Sequence, residues 1–164
     1  MKKLIFSSLF LLLTLFVYSQ DRGECISGNC QDGHGVYKTI YGHTYTGEFK
    51  NGKYDGQGYL DMLEGMWYRG SFKNGLKDGY GVLQFGPLSA GFERFEGEWK
   101  NGKMNGYGKQ TYKCKQSVEG IYVNGVPDGR CINLFQDDHG KNHKTIVTYS
   151  KEKSFEHLKE EKIY

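Results

Sequence analysis

The chain has 164 residues with 22 Lys and Arg, 19 Asp and Glu and a formal charge of +3, enough for one modest domain. The two lysines at positions 2 and 3 belong to a leader described below, so without it the charge falls by two. A chain this close to neutral has no global field to draw nucleic acid, and no nucleic-acid partner is expected.

Met1-Lys2-Lys3 opens a positively charged start, followed by an apolar run from Leu4 to Val17 and then Tyr18-Ser19-Gln20. This reads as a cleavable secretory signal over 1–19, with cleavage between Ser19 and Gln20. The run falls short of the ~20 apolar residues of a membrane-spanning helix; a retained anchor is the alternative reading. A secreted or periplasmic (cell-envelope) location follows as the expectation. Lipid anchoring is disfavoured because Cys25 follows Glu24 rather than a small residue.

Export makes the four cysteines disulfide candidates. Cys25 and Cys30 flank Gly28 closely enough for a local bridge. Cys114 and Cys131 would then be the second pair, yet the expected register puts them roughly 13 Å apart along neighbouring strands. A disulfide requires Cα atoms within about 7 Å.

From residue 20 to 149 the chain is dominated by four copies of one pattern, near 45–58, 68–81, 95–108 and 118–131. The first is Tyr45-Thr-Gly47-Glu-Phe49-Lys-Asn51-Gly52 with Gly56-Gln-Gly58, and Tyr68, Phe95 and Val118 start the others. The Asn-Gly pairs step by 23, 27 and 23 residues. Within each copy Tyr45, Gly47 and Phe49 alternate with Thr46, Glu48 and Lys50, the period of two of a half-buried strand. Asn-Gly then signals a tight hairpin. The returning Gly-x-Gly puts its glycines on the aromatic side, where a ring from an adjacent strand can lie on bare backbone. One copy is therefore one β-hairpin, and the copies stack into a long antiparallel meander.

Gly33-His-Gly35-Val-Tyr37 is the return half of a partial copy before the first, with Cys25 placed in its aromatic column. Lys144-Thr-Ile-Val-Thr-Tyr149 begins a fifth copy without glycines. Such degenerate ends suit capping of exposed sheet edges. The longer step reflects an enlarged loop at Phe85-Gly-Pro87-Leu-Ser-Ala-Gly91-Phe, read as drift or as part of a binding face. In the charged tail, 150–164, Phe155, Leu158 and Ile163 among Lys and Glu make at best a short amphipathic helix.

These units resemble the MORN repeat (membrane occupation and recognition nexus). The likeness runs from about residue 23 to 149, with departures at Val118 and Cys131. The resemblance implies an all-β fold, an elongated, solenoid-like sheet of antiparallel hairpins with a groove. It implies a non-catalytic module that contacts proteins or phospholipids, and the chain looks like a small exported protein made of little else.

No enzyme chemistry, cofactor or metal is expected. His139 and His143 stand four apart behind Asp137-Asp138, but Gly140 and Asn142 point to a turn rather than a helical ligand pair. His34 and His43 read as hairpin-end residues. Lys50, Lys73 and Lys100 share one repeat position and form a row on the face opposite the rings. That row suits phosphate headgroups, but Glu48 and Glu98 in the adjacent column favour a salt-bridged, solubilising face. Phe49, Phe72, Trp99 and Tyr122 are candidate groove rings for a peptide or glycan, with core as the competing role. The sequence thus leads to a secreted repeat scaffold with a protein partner, and after it to a peripheral binder of anionic membrane surfaces. An open array with two edges also allows an edge-to-edge homodimer.

Overall fold

The computed structural model describes residues 23–149 and 161–162. The leader expected over 1–19 lies outside them, as does the tail at 150–160 and 163–164. Five complete hairpins come first: β1 (Glu24–Gly28) with β2 (Gly33–Lys38), β3 (Thr44–Lys50) with β4 (Lys53–Asp61), β5 (Trp67–Lys73) with β6 (Leu76–Gln84), β7 (Phe92–Lys100) with β8 (Lys103–Tyr112), and β9 (Ser117–Val123) with β10 (Val126–Gln136). β11 (Asn142–Tyr149) and the short β12 (Glu161–Lys162) complete one open sheet. The order is sequential, each neighbouring pair is antiparallel, and no helix occurs among the described residues. Glu161 and Lys162 are extended and pair with Ile146 and Thr145, so this part of the tail adds a strand rather than a helix.

The hairpins turn where Asn-Gly directs them. Asn51 and Gly52 have φ of 51° and 68°, and the same left-handed pair recurs at Asn74-Gly75, Asn101-Gly102 and Asn124-Gly125. Two positive φ values in succession give the turn whose twist matches that of the flanking strands. Each turn is also fastened to the hairpin before it. The Gly75 N–H donates to the Tyr54 carbonyl at 2.8 Å and the Asn74 N–H donates to the Asp55 carboxylate at 3.1 Å. Asp32 serves Asn51 and Asp78 serves Asn101 in the same way.

Register carries one line of glycines across eight strands: Gly35, Gly47, Gly58, Gly70, Gly81, Gly97, Gly108 and Gly120 are successive cross-strand partners. Rings fill the strip that these residues leave bare. Tyr45 lies over Gly58, Tyr68 over Gly81 and Phe95 over Gly108, each so close that a β-carbon on the glycine would overlap the ring. Sulfur takes the place of a ring at both ends, with Cys30 Sγ against Gly35 and Cys131 Sγ against Gly120. The sequence placed Cys25 in this column. A register shift between Cys25 and Ser27 leaves Cys25 exposed, and the Cys25–Cys30 disulfide seats its partner inside instead.

The core is a single-sided ladder of edge-to-face rings. Its centroid spacings are 5.1 Å for Phe49–Tyr45, Tyr45–Phe72 and Phe72–Tyr68, 5.3 Å for Tyr68–Trp99 and Trp99–Phe95, and 5.0 Å for Phe95–Tyr122. Edge-to-face contact adds to the area that each ring buries.

Candidate functional site

The two faces of the sheet are unlike. Phe49, Phe72 and Trp99 are 5% exposed and Tyr122 is 2% exposed, so the four candidate groove rings are core and line no open groove. The reason is that the first ring of one copy (Tyr45, Tyr68, Phe95) closes against the second ring of the next (Phe72, Trp99, Tyr122), edge to face. The open face carries the alternate residues instead. Tyr80 is 57% exposed and Tyr107 52%, and Tyr59, Trp67, Val82 and Ile121 share their side of the sheet. The sequence reading passed over these residues. Their signal was the middle position of Gly-x-Gly, which must point away from the glycines and hence away from the core.

Across this face runs the register Tyr59–Arg69–Val82–Glu96–Lys109–Glu119, beside a second row Asp61–Trp67–Gln84–Arg94–Thr111. Tyr80 Oη donates to Glu96 Oε1 at 2.9 Å and Tyr107 Oη donates to Glu119 Oε1 at 2.5 Å. Those hydrogen bonds to carboxylates push both phenol pKa values up. Arg94 pairs with Glu96 at 2.7 Å, while Lys109 reaches Glu119 at 3.9 Å. Between β5 and β7 lies a depression of about 370 Å³ lined by Gln57, Trp67, Arg69, Tyr80, Val82 and Arg94 among others. Trp67 and Tyr59 tilt toward each other at its rim, with centroids 5.9 Å apart.

The sequence model of the MORN repeat matches residues 45–61, 68–87 and 95–113. The chain carries three MORN repeats. The fourth copy, altered at Val118 and Cys131, lies outside the matched stretches but continues the same sheet. Comparison with curated proteins gives no match. MORN repeats are commonly modules that bind proteins or membranes.

The Asn-Gly turns of the MORN hairpins all lie along one long edge of the sheet. Lys50, Lys73 and Lys100 are exposed there, joined by Lys53 and Lys103, with Leu76 and Val126 exposed among them. The glutamates expected to pair with these lysines do something else. Glu48 Oε1 accepts the Gln57 N–H at 3.1 Å and Glu98 Oε2 accepts the Tyr107 N–H at 3.2 Å. Each thereby closes the bulge that follows Gly47 or Gly97. In the second MORN copy Ser71 stands at this position and leaves the bulge without a carboxylate.

Lys77 breaks the pattern of the ring side. Its Nζ lies 4.9 Å from the Tyr68 ring centroid and 4.7 Å from that of Trp99, a place held by Tyr54 in the first copy and Met104 in the third. Burial lowers its pKa from 10.5 to about 8, and the two ring faces offset part of the cost of the buried charge.

Cys114 and Cys131 are unpaired thiols, so the second disulfide does not form. Cys114 lies in the exposed β8–β9 turn, whereas Cys131 is buried against Gly120 further along the neighbouring hairpin. Among the described residues no cluster of His, Cys, Asp and Glu is arranged to hold a metal ion. His143 Nε2 instead meets Asp137 Oδ2 at 2.7 Å and its ring stacks on Phe135, while the backbone N–H of His139 caps the same aspartate. The enlarged β6–β7 loop is fastened by Lys113, whose Nζ donates to the carbonyls of Pro87 at 2.5 Å and Ser89 at 2.9 Å.

Proposed function

We propose that this protein is a non-catalytic, exported scaffold that binds another protein through the open face of its sheet. The observation that carries this reading is the asymmetry of the two faces: one seals its rings as core, and the other displays Tyr59, Trp67, Tyr80 and Tyr107 among arginines. Tyr, Trp and Arg are the side chains that dominate protein–protein recognition. Single-sided sheets hold such residues on rigid strands, so little ordering cost is incurred on binding. The apolar run near the start and the Cys25–Cys30 disulfide support an exported location, where a local bridge persists.

The test is photo-crosslinking from position 107 on the open face and from position 50 on the turn edge. The reading expects one protein adduct from position 107 and none from position 50. Absence of any protein adduct from the open face contradicts it.

A second reading, peripheral binding to anionic phospholipid, draws on the five lysines along the turn edge. Neighbouring copies sit roughly 10 Å apart there, and each lysine near an anionic surface contributes about 1 kcal/mol. Asp32, Asp55 and Asp78 on the same edge, all bonded to turn amides, reduce that field. This reading expects salt-sensitive sedimentation with phosphatidylserine vesicles, abolished in Lys50→Ala/Lys73→Ala/Lys100→Ala. No binding at low salt removes it.

A further inference from the structure

We infer that the depression between β5 and β7 is the docking point for an acidic peptide segment of the partner, gripped by Arg69 and Arg94 and packed on Trp67 and Tyr80. This rests on the scaffold reading above and adds the chemistry of what is bound. Open-face positions point away from the ring core, and their side chains differ between copies. At the position before the first ring, the copies carry Thr44, Trp67, Arg94 and Ser117. At the position after it they carry Thr46, Arg69, Glu96 and Glu119, and two residues further Glu48, Ser71, Glu98 and Ile121. In the second copy two of these positions lose a negative charge: Arg69 stands where the third and fourth copies have glutamate, and the neutral Ser71 where the first and third do. The third position supplies Trp67.

The result is an excess of positive charge in the lining of the depression, which holds Arg69 and Arg94 and no carboxylate. Among the described residues no carboxylate pairs with Arg69. Arg94 commits one terminal nitrogen to Glu96, and its Nε is covered without a hydrogen-bond partner. Register places the two arginines on strands β5 and β7 either side of β6, whose Tyr80 and Val82 floor the depression. Guanidinium groups favour carboxylates because their donors match both oxygens. A membrane surface is a poorer occupant, since a plane of anionic headgroups meets Glu96, Glu98 and Glu119 along with the arginines, whereas a peptide segment can seat its carboxylates within the depression, whose lining holds none.

The test is a peptide array of mixed composition probed with the purified chain, then with Arg69→Glu, Trp67→Thr and Ser71→Glu. Each substitution installs the residue that a sister copy already carries, and a melting curve confirms that each variant folds. The expected result is enrichment of Asp- and Glu-rich peptides, with affinity lowered roughly tenfold by each change and unaltered by Lys50→Ala/Lys73→Ala/Lys100→Ala. Ser71→Glu discriminates further: a carboxylate there closes the bulge as Glu48 does, so it weakens binding while leaving stability equal or higher. Enriched peptides that lack carboxylates, or that ignore the three changes, overturn the inference while the scaffold reading stands. An array with no bound peptide overturns it as well, and the crosslink from position 107 then decides the scaffold reading separately. A uronic disaccharide or phosphatidylserine vesicles binding in place of peptides, with loss in Arg69→Glu, also overturns it.

Discussion

Tyr45 lies over Gly58, and the fourth copy shows that the two positions change together. There Val118 replaces the ring and Cys131 replaces the glycine, and both are buried. The strip of bare backbone and the rings that cover it are therefore one packing solution, in which bulk on one strand requires space on the next.

Gly58→Ala inserts a methyl where the Tyr45 ring sits, and overpacking of this kind costs about 1–3 kcal/mol. Adding Tyr45→Val to that variant vacates the space, so the pair is expected to lose less than the sum of the single changes. A thermal-melt double-mutant cycle reads the coupling, about 0.5–3 kcal/mol for residues in contact. Additive losses contradict the pairing.

Asp55→Ala removes the acceptor of the Asn74 N–H and loosens the join between the β3–β4 and β5–β6 hairpins. The expected loss is about 0.5–1.5 kcal/mol, that of one hydrogen bond, seen as a fall of a few degrees in Tm. Asp55→Asn is expected to retain most of it, because Asn105 occupies the corresponding place in the third copy.

The stacking of hairpins was legible in the sequence because three signals agreed: alternation at Tyr45/Gly47/Phe49, the Asn-Gly turns and the paired glycines. The partial copy at 33–37 was legible from its paired glycines, and the last outgoing strand from its place after the fourth copy and its alternation. Which face would be open was not. Side-chain period fixes that Phe49 and Tyr80 point to opposite sides, but it does not say that rings from successive copies close edge to face. Lys77 was hidden by its charge, since a lysine in a strand reads as solvent-facing until the Tyr68 and Trp99 rings are seen around it. Lys50, Lys73 and Lys100 are exposed at the turn ends of their strands. The partners of Glu48 and Glu98 were not foreseen, because a β-bulge leaves little trace in composition.

Lys77 sets a pH dependence. Its folded pKa of about 8 is below the unfolded value of 10.5, so below pH 8 both states hold the proton and the cost of the buried charge is fully present. Between pH 8 and 10 the folded state releases its proton first, and stability rises with pH by up to about 3 kcal/mol. Above pH 10 the trend reverses, because burial raises the pKa values of Tyr45, Tyr68 and Tyr122 and the unfolded chain ionises them first. Urea midpoints at pH 7, 9 and 10.5 check both limbs. Lys77→Met, the residue of the third copy, is expected to be more stable at pH 7 and flat to pH 9.5.

The thiols are expected to separate by reactivity. Cys114 is exposed and Cys131 is buried, its pKa raised by desolvation. A disulfide-exchange reagent should label one thiol per native chain at pH 8 and two after denaturation. Two fast native thiols contradict the packing of Cys131 on Gly120.

The most direct test of the account is hydroxyl-radical footprinting of the free chain, read ring by ring. The account predicts fast oxidation at Tyr80 and Tyr107 and strong protection of Tyr45, Tyr68, Phe72 and Trp99. Protection of Tyr80 and Tyr107 with rapid oxidation of Phe72 and Trp99 would contradict it, and would return the binding surface to the ring side of the sheet.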